Sequence, residues 1–219
     1  MTTPPEKKPS RIQMRNRRLI LDSALEVFSR DGFGGATLDS IASGAGLSKP
    51  NVLYYFGGKT EIYITLLSQL LETWLDPLIE LDPDGDPVNE LLAYVQRKLD
   101  MSLDLPAESK LFAVEMLQGA PRMGTYLVND LKPLFDEKCA IIQDWVDTGR
   151  IAPVDPAHLI FTLWSATQHY ADFGAQVSVL LDHENPAARA SAHLEQMFRR
   201  LLDPQAGQPL TKSQDSAPV

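Results

Sequence analysis

Residues 37–56 read TLDSIASGAGLSKPNVLYYF, running from Thr37 to Phe56. Thr37 is of a type that caps helix N-termini, so it predicts a short helix over 38–43 that turns Ile41 and Ala42 inward. Gly44-Ala45-Gly46-Leu47 reads as a tight turn. Ser48 then caps a second helix that opens Lys49-Pro50-Asn51, where proline is tolerated because the first helical N–H groups have no intrahelical acceptor. That helix carries Val52, Leu53, Tyr54, Tyr55 and Phe56, and Gly57-Gly58 stops it. A short helix, a glycine-containing turn and a second helix are the parts of a helix-turn-helix. Ala42 is small enough for close approach of the two helices, with Leu47 and Val52 buried between them. Ser48, Lys49, Pro50 and Asn51 are left facing outward, where base edges would lie in a major groove. Tyr54, Tyr55 and Lys59 suit phosphate contacts, and Thr37 adds one through its hydroxyl and the amide end of its helix. The same spacing also describes a plain three-helix unit with Tyr54 and Tyr55 half in its core.

Working outward, Ile20, Ala24, Val27 and Phe28 recur at helical spacing from Arg17, and the glycine-rich stretch 31–35 ends that helix. Residues 1–14 mix Pro, Lys, Thr and Ser without period and read as a flexible arm, which puts the DNA-binding domain at 15–62. A long helix opens at Lys59, runs through Ile62, Leu66, Leu70 and Trp74, and ends near Pro77. After the loop 82–87, further helices are expected at 88–104, 108–118, 122–149, 155–181 and 186–203, making 63–203 an effector-binding and dimerisation domain. The tail 204–219 reads as disordered. No alternating strand pattern and no internal repeat occur, so the expected fold class is all-α, a helical bundle attached to the helix-turn-helix.

The net charge of −9 is unusual for a DNA binder until it is divided along the chain. Residues 1–60 hold nine Lys/Arg against five Asp/Glu, a net of +4; the rest hold eleven against twenty-four, a net of −13. That asymmetry fits a local electrostatic footprint, or a solvated acidic surface without further meaning. The single Cys139 excludes an internal disulfide. No apolar run approaches the roughly 20 residues that span a bilayer, and the expected location is cytoplasmic. Zinc-ligand spacing and a glycine-rich phosphate loop are both missing, so no metal and no cofactor are expected. His169 and Asp172 lie three apart but share no positioned nucleophile, which argues against an enzyme and for a structural hydrogen bond between them.

Residues 17–63 resemble the DNA-binding domain of the TetR family of transcriptional regulators. The matching residues are Ala24-Leu25-Glu26-Val27-Phe28, Gly32-Phe33, Thr37, Ile41-Ala42, Ala45-Gly46-Leu47-Ser48, Leu53-Tyr54-Tyr55-Phe56, and Lys59 followed by Glu61 and Tyr63. Pro50 and Gly57-Gly58 depart from the usual pattern. The C-terminal part is similar to a pyrimidine-utilisation branch of the same family. It shares stretches at 75–78, Lys98-Leu99, 115–117, 119–121, 136–138, 151–156 and 158–161, then Trp164 and 167–173. The resemblance implies a homodimeric repressor on a palindromic double-stranded operator, released by a small effector such as uracil or thymine.

The residues themselves allow such a pocket. Trp74 and Trp164 can form the walls of a slot for a planar ring. Gln168 lies one helical turn beyond Trp164 and offers a donor and an acceptor to an imide edge. Gln118, Tyr170 and Met116 are further candidates, and Leu78 joins them from the similar stretch at 75–78. Both tryptophans also fit plain core packing, and Gln168 fits a surface or interface amide. The helix from Lys59 to Trp74 links DNA end to pocket end and would act as a lever on recognition helices set roughly 34–36 Å apart. Leu159, Leu163, Leu194, Met197, Phe198 and Leu201 form apolar stripes that suit either a dimer interface or a core. A different effector, or constitutive DNA binding without one, stays open at this point.

Overall fold

The computed structural model describes residues 10–182 and 185–205. The chain is all-α, with no strand among the described residues. Most of the expected arm and tail lie outside these residues. Residues 10–14, assigned to the arm from sequence, instead start α1 (Arg11–Gly35), six residues before Arg17. The cause is a capping box: Ser10 Oγ accepts from the Gln13 amide at 3.3 Å, and the Gln13 side chain accepts from the Ser10 amide at 2.8 Å. The backbone leaves helical geometry at Gly32, within the stretch expected to end this helix.

Three elements complete the N-terminal unit: α2 (Leu38–Gly44), α3 (Lys49–Tyr55) and the first half of α4 (Lys59–Ile79). Thr37 and Ser48 are the N-caps of α2 and α3, as their residue types require. Two glycines make the turn possible. Gly46 sits at φ 65°, in the left-handed region that disfavours a side chain. A Cβ on Gly44 would lie 2.3 Å from Ser23 Oγ, so α2 can approach α1 this closely only with glycine there. Ser23 Oγ–H donates to the Ile41 carbonyl at 2.8 Å and ties the two helices together. Ile20, Ala24, Phe28, Ile41, Val52, Phe56 and Ile62 close this core.

The larger part contains α5 (Pro87–Asp104), α6 (Pro106–Leu117), a short turn α7 (Gly124–Tyr126), a π-helical turn over Leu127–Leu131 and α8 (Lys132–Asp147). It ends with α9 (Pro156–Asp172), α10 (Gly174–Leu180) and α11 (Ala187–Leu202). The expected helices at 122–149 and 155–181 are thus each divided, the second at Phe173, which caps α9 with φ −112° and ψ 25°. Helices α4, α5, α8, α9 and α11 enclose the second core, around Leu78, Leu91, Tyr94, Trp145, Leu163 and Phe198.

Helix α4 spans both cores, with Ile62, Tyr63, Leu67 and Leu71 in the first and Leu75 and Leu78 in the second. Leu111 of α6 and Met123 also join the first core, so the C-terminal unit is packed directly onto the N-terminal one.

The apolar stripes of α9 and α11 resolve into two faces. Leu159, Leu163, Leu194 and Phe198 are buried in the chain's own core and are therefore not available to a partner. Leu201 and Phe161 are exposed, at 42% and 50%, and with the half-buried Met197 they mark the outward face of the same two helices.

Candidate functional site

The outer face of the helix-turn-helix presents the start of α3. Ser48 Oγ accepts from the Asn51 amide at 3.4 Å, and Lys49, Pro50 and Asn51 are exposed beside it. Lys49 Nζ donates to Asp39 Oδ2 at 2.9 Å across the solvent face, a pairing that sets the direction of the lysine. Tyr54 is 72% exposed. Tyr55 is half-buried: its hydroxyl accepts from Asn16 Nδ2 at 2.9 Å, and its carbonyl accepts from Arg17 at 2.9 Å. Arg17 also lies 4.3 Å over the Phe56 ring, so it clamps the C-terminal end of α3 onto α1. Thr37 Oγ1 accepts the Ser40 amide at 3.0 Å and remains exposed.

Lys59, expected to reach for phosphate, directs its ammonium inward. It donates to the carbonyls of Phe33 and Ala36 at 2.7 and 2.8 Å and lies over the Phe33 ring. Those two bonds use two of its three protons, so its main work is to close the end of α1 against α4. Leu53, not singled out from sequence, is 45% exposed on the same helix as Asn51 and offers an apolar contact.

A small cavity lies at the junction of the two cores. Its walls are Leu71, Trp74 and Leu75 from α4, Lys98 from α5, Phe112 from α6, Leu131 from the π turn, and Trp164 and Gln168 from α9. Three of the seven pocket residues expected from sequence, Trp74, Trp164 and Gln168, therefore come together. The other four do not line it. Leu78 is fully buried one turn further along α4, and Tyr170 packs against the second core. Met116 packs against the first core, and Gln118 is exposed at the C-cap of α6. Phe112 reaches the cavity from α6, whereas Met116, one turn further along the same face, packs against the first core and Gln118 lies at the exposed end of the helix.

The cavity measures about 40 Å³, room for roughly three waters at about 10–15 Å³ each. A six-membered ring bearing two carbonyls enters only if the walls part.

Trp74 Nε1 is buried without a hydrogen-bond partner. Its ring meets Phe112 edge-on at 5.6 Å and carries the Lys98 ammonium 3.6 Å above its centre. Lys98 is 3% exposed. Burial pushes its pKa from 10.5 down to about 7, with Asp172 pulling in the opposite direction. Trp164 Nε1 donates to the Tyr94 hydroxyl at 2.6 Å, which fixes that wall. Burial raises the Tyr94 phenol well above its ordinary value. Asp172 accepts from Ser109 Oγ at 2.6 Å, and His169 stacks on Phe173 at 5.0 Å. The expected His169–Asp172 hydrogen bond is replaced by these separate contacts.

From the cavity a chain of contacts runs along α6 to the DNA-binding unit. Glu115, fully buried one turn beyond Phe112 and Leu111, accepts the Arg122 amide at 2.7 Å and its guanidinium at 3.0 Å. That guanidinium lies 3.6 Å over the Phe33 ring, at the end of α1, which Lys59, Phe28 and Tyr63 also contact. Burial, and then the Glu115 carboxylate, push the Tyr63 phenol up to about 12. Neither Lys98 nor this buried pair was singled out from sequence. A signal existed for the lysine: it interrupts the apolar stripe Leu91, Tyr94, Val95 and Leu99 at helical spacing.

These features define a helix-turn-helix regulator with an interior pocket, and the chain belongs to the TetR family. Residues 20–66 match the model of bacterial regulatory proteins of the tetR family, and residues 67–205 match that of the YcdC-like protein C-terminal region. The chain is 47% identical over 173 residues to the HTH-type transcriptional regulator RutR of Escherichia coli K12, covering 79% of this chain and 82% of that one. It is 32% identical over 138 residues to the HTH-type transcriptional repressor NicS of Pseudomonas putida, covering 62% and 64%. Among solved structures, a tetR-family regulatory protein from Rhodococcus RHA1 superposes with a TM-score of 0.69 at 19% identity, covering 89% and 98%. AibR, solved in complex with isovaleryl coenzyme A and operator DNA, gives 0.63 at 14% identity, covering 83% and 97%. These two likenesses concern the fold. The relatives are transcriptional regulators, not enzymes.

Proposed function

We propose that the protein is a homodimeric repressor that leaves its palindromic operator when a pyrimidine such as uracil or thymine enters the cavity between Trp74 and Trp164. The observation that carries this reading is the convergence of two indoles and the Gln168 amide, from α4 and α9, on one buried cavity. The similarity of the C-terminal stretches to the pyrimidine-utilisation branch supports the ligand class. Operator contact falls to Ser48, Lys49, Pro50 and Asn51 for bases and to Thr37 and Tyr54 for backbone. The outward face of α9 and α11, with Phe161, Met197 and Leu201, joins two protomers. The protein acts in the cytoplasm, where the operator is.

Coupling follows from the cavity's size. A ring that parts its walls displaces Trp74 on α4 and Phe112 on α6, the two helices that also hold the DNA-binding unit. One acts through α4 itself, the other through Glu115 and Arg122 on Phe33. The ligand shifts the equilibrium only by its preference for the opened state, typically about 1–3 kcal/mol.

The reading is tested by titrating uracil while following tryptophan fluorescence, in wild type and in Gln168→Leu. Saturable quenching that weakens about tenfold or more in Gln168→Leu is expected, in line with the cost of an unmatched buried hydrogen bond. No quenching by uracil, or equal affinity in both proteins, rejects the assignment.

A further inference from the structure

The cavity wall holds an ammonium that has no acidic partner in contact. Lys98 is 3% exposed. Among the described residues its Nζ has neither a hydrogen bond nor an ion pair, only the face of Trp74 at 3.6 Å. Of the groups that face it, α4 supplies Trp74, Leu71 and Leu75, α6 supplies Phe112, the π turn supplies Leu131, and α9 supplies Trp164 and Gln168. None of these is charged. The Asp172 carboxylate of α9 acts on Lys98 as a nearby charge, but its contact is Ser109. A second donor in the same wall, Trp74 Nε1–H, is fully buried and has no hydrogen-bond partner. Buried donors without acceptors are costly and rare in folded proteins. An orphaned indole N–H beside an ammonium that meets only a ring face means that acceptors are missing on the side where a ligand would lie.

We propose that Lys98 fixes the chemical class of the effector: with Trp74 Nε1–H it forms a donor pair that selects rings with an acceptor-rich edge, and binding leaves Lys98 protonated. Gln168 supplies the one group able to accept from a ring N–H. A pyrimidine-dione places carbonyl oxygens against both donors. Cytosine replaces one carbonyl with an amine, which would face the ammonium donor to donor. The inference rests on the reading of this cavity as the effector site and adds to it which residue discriminates and what proton traffic accompanies binding. Burial already favours the neutral amine above pH 7. An acceptor brought against Nζ reverses that preference, so the complex takes a proton from solvent.

The experiment is calorimetric titration of uracil at pH 8 in two buffers with different ionisation heats, with cytosine, thymine and barbiturate as comparison rings. Wild type is expected to take up close to one proton per bound uracil, and cytosine is expected to bind at least about tenfold more weakly. Lys98→Met should lose about ten- to a hundredfold in uracil affinity along with the buffer dependence, while circular dichroism confirms that it is folded. Uracil binding without proton uptake, or with affinity retained in Lys98→Met, overturns the inference and leaves the pocket assignment standing. If uracil fails to bind but another acceptor-rich ring binds with proton uptake, the uracil assignment falls and the role of Lys98 holds. Preferential binding of cytosine overturns the inference, and no binding by any ring overturns both.

Discussion

Replacing Lys98 by methionine should make the protein more stable near neutral pH, and the gain should shrink as the pH rises. The side chains are similar in length, and Met suits the apolar stripe of α5. The folded-state pKa of Lys98 is about 7, below its ordinary 10.5. Between those values the unfolded chain holds a proton that the folded chain has released, so wild-type stability rises with pH across the window. At 1.36 kcal/mol per pH unit the whole shift corresponds to about 4–5 kcal/mol. The ammonium's contact with the Trp74 face returns about 1–2 kcal/mol of this. Lys98→Met is therefore expected to gain about 2–4 kcal/mol at pH 6, or about 5–15 °C in Tm for a chain of this size. At pH 9.5, one unit below the ordinary lysine value, about 1.4 kcal/mol of the difference should remain, so the gap narrows to about 3–5 °C. Differential scanning calorimetry at pH 6, 7.5 and 9.5 reads both numbers. A gap that is independent of pH, or a variant that is less stable at pH 6, would refute the reasoning that Lys98 is a charge held in the wall against its own solvation.

Arg122→Gln leaves the fully buried Glu115 carboxylate without its counter-ion and should cost about 3–5 kcal/mol of stability, while Glu115→Gln/Arg122→Gln recovers part of the loss; thermal melts of the two variants check this. In the double variant uracil affinity should be retained while its effect on operator binding shrinks, because the Phe33 contact is gone; unchanged coupling removes α6 from the route. Asn51→Ala should weaken operator binding by about 1–3 kcal/mol and leave binding to unrelated DNA unaltered, as read by competition titration. Ser48→Ala removes the N-cap of α3 and should cost about 1 kcal/mol in a chemical melt.

The short-range signals of the N-terminal unit were readable because each depends on residues close in sequence. Thr37 and Ser48 cap the helices they were expected to cap, and the turn at Gly46 needs no distant partner. The start of α1 was missed although its signal was equally local: Ser10 and Gln13 form the capping box, inside a stretch whose Pro and Lys content suggested an arm. In the pocket, Trp164 and Gln168 sit one turn apart on one helix, so their shared direction could be read. Met116 and Gln118 were placed by their neighbourhood in sequence; Phe112, one turn before Met116 on the same face of α6, is the residue that reaches the cavity, which only the packing of α6 on α4 decides. The direction of Lys59 depends on where the Phe33 and Ala36 carbonyls lie, more than twenty residues away. The orphan Trp74 indole and the Glu115–Arg122 pair likewise exist only once α4, α5, α6 and α9 have met. The apolar stripes of α9 and α11 were visible, but which face turns inward is decided by the α5 helix packed between them.

Fluorescence anisotropy of the full chain on its own upstream DNA, at fixed salt with and without uracil, tests most directly whether the cavity governs the DNA face. The account predicts tight, sequence-selective binding that uracil reverses, with apparent affinity falling about five- to 150-fold at saturating ligand. Tight binding that uracil leaves unchanged would contradict it.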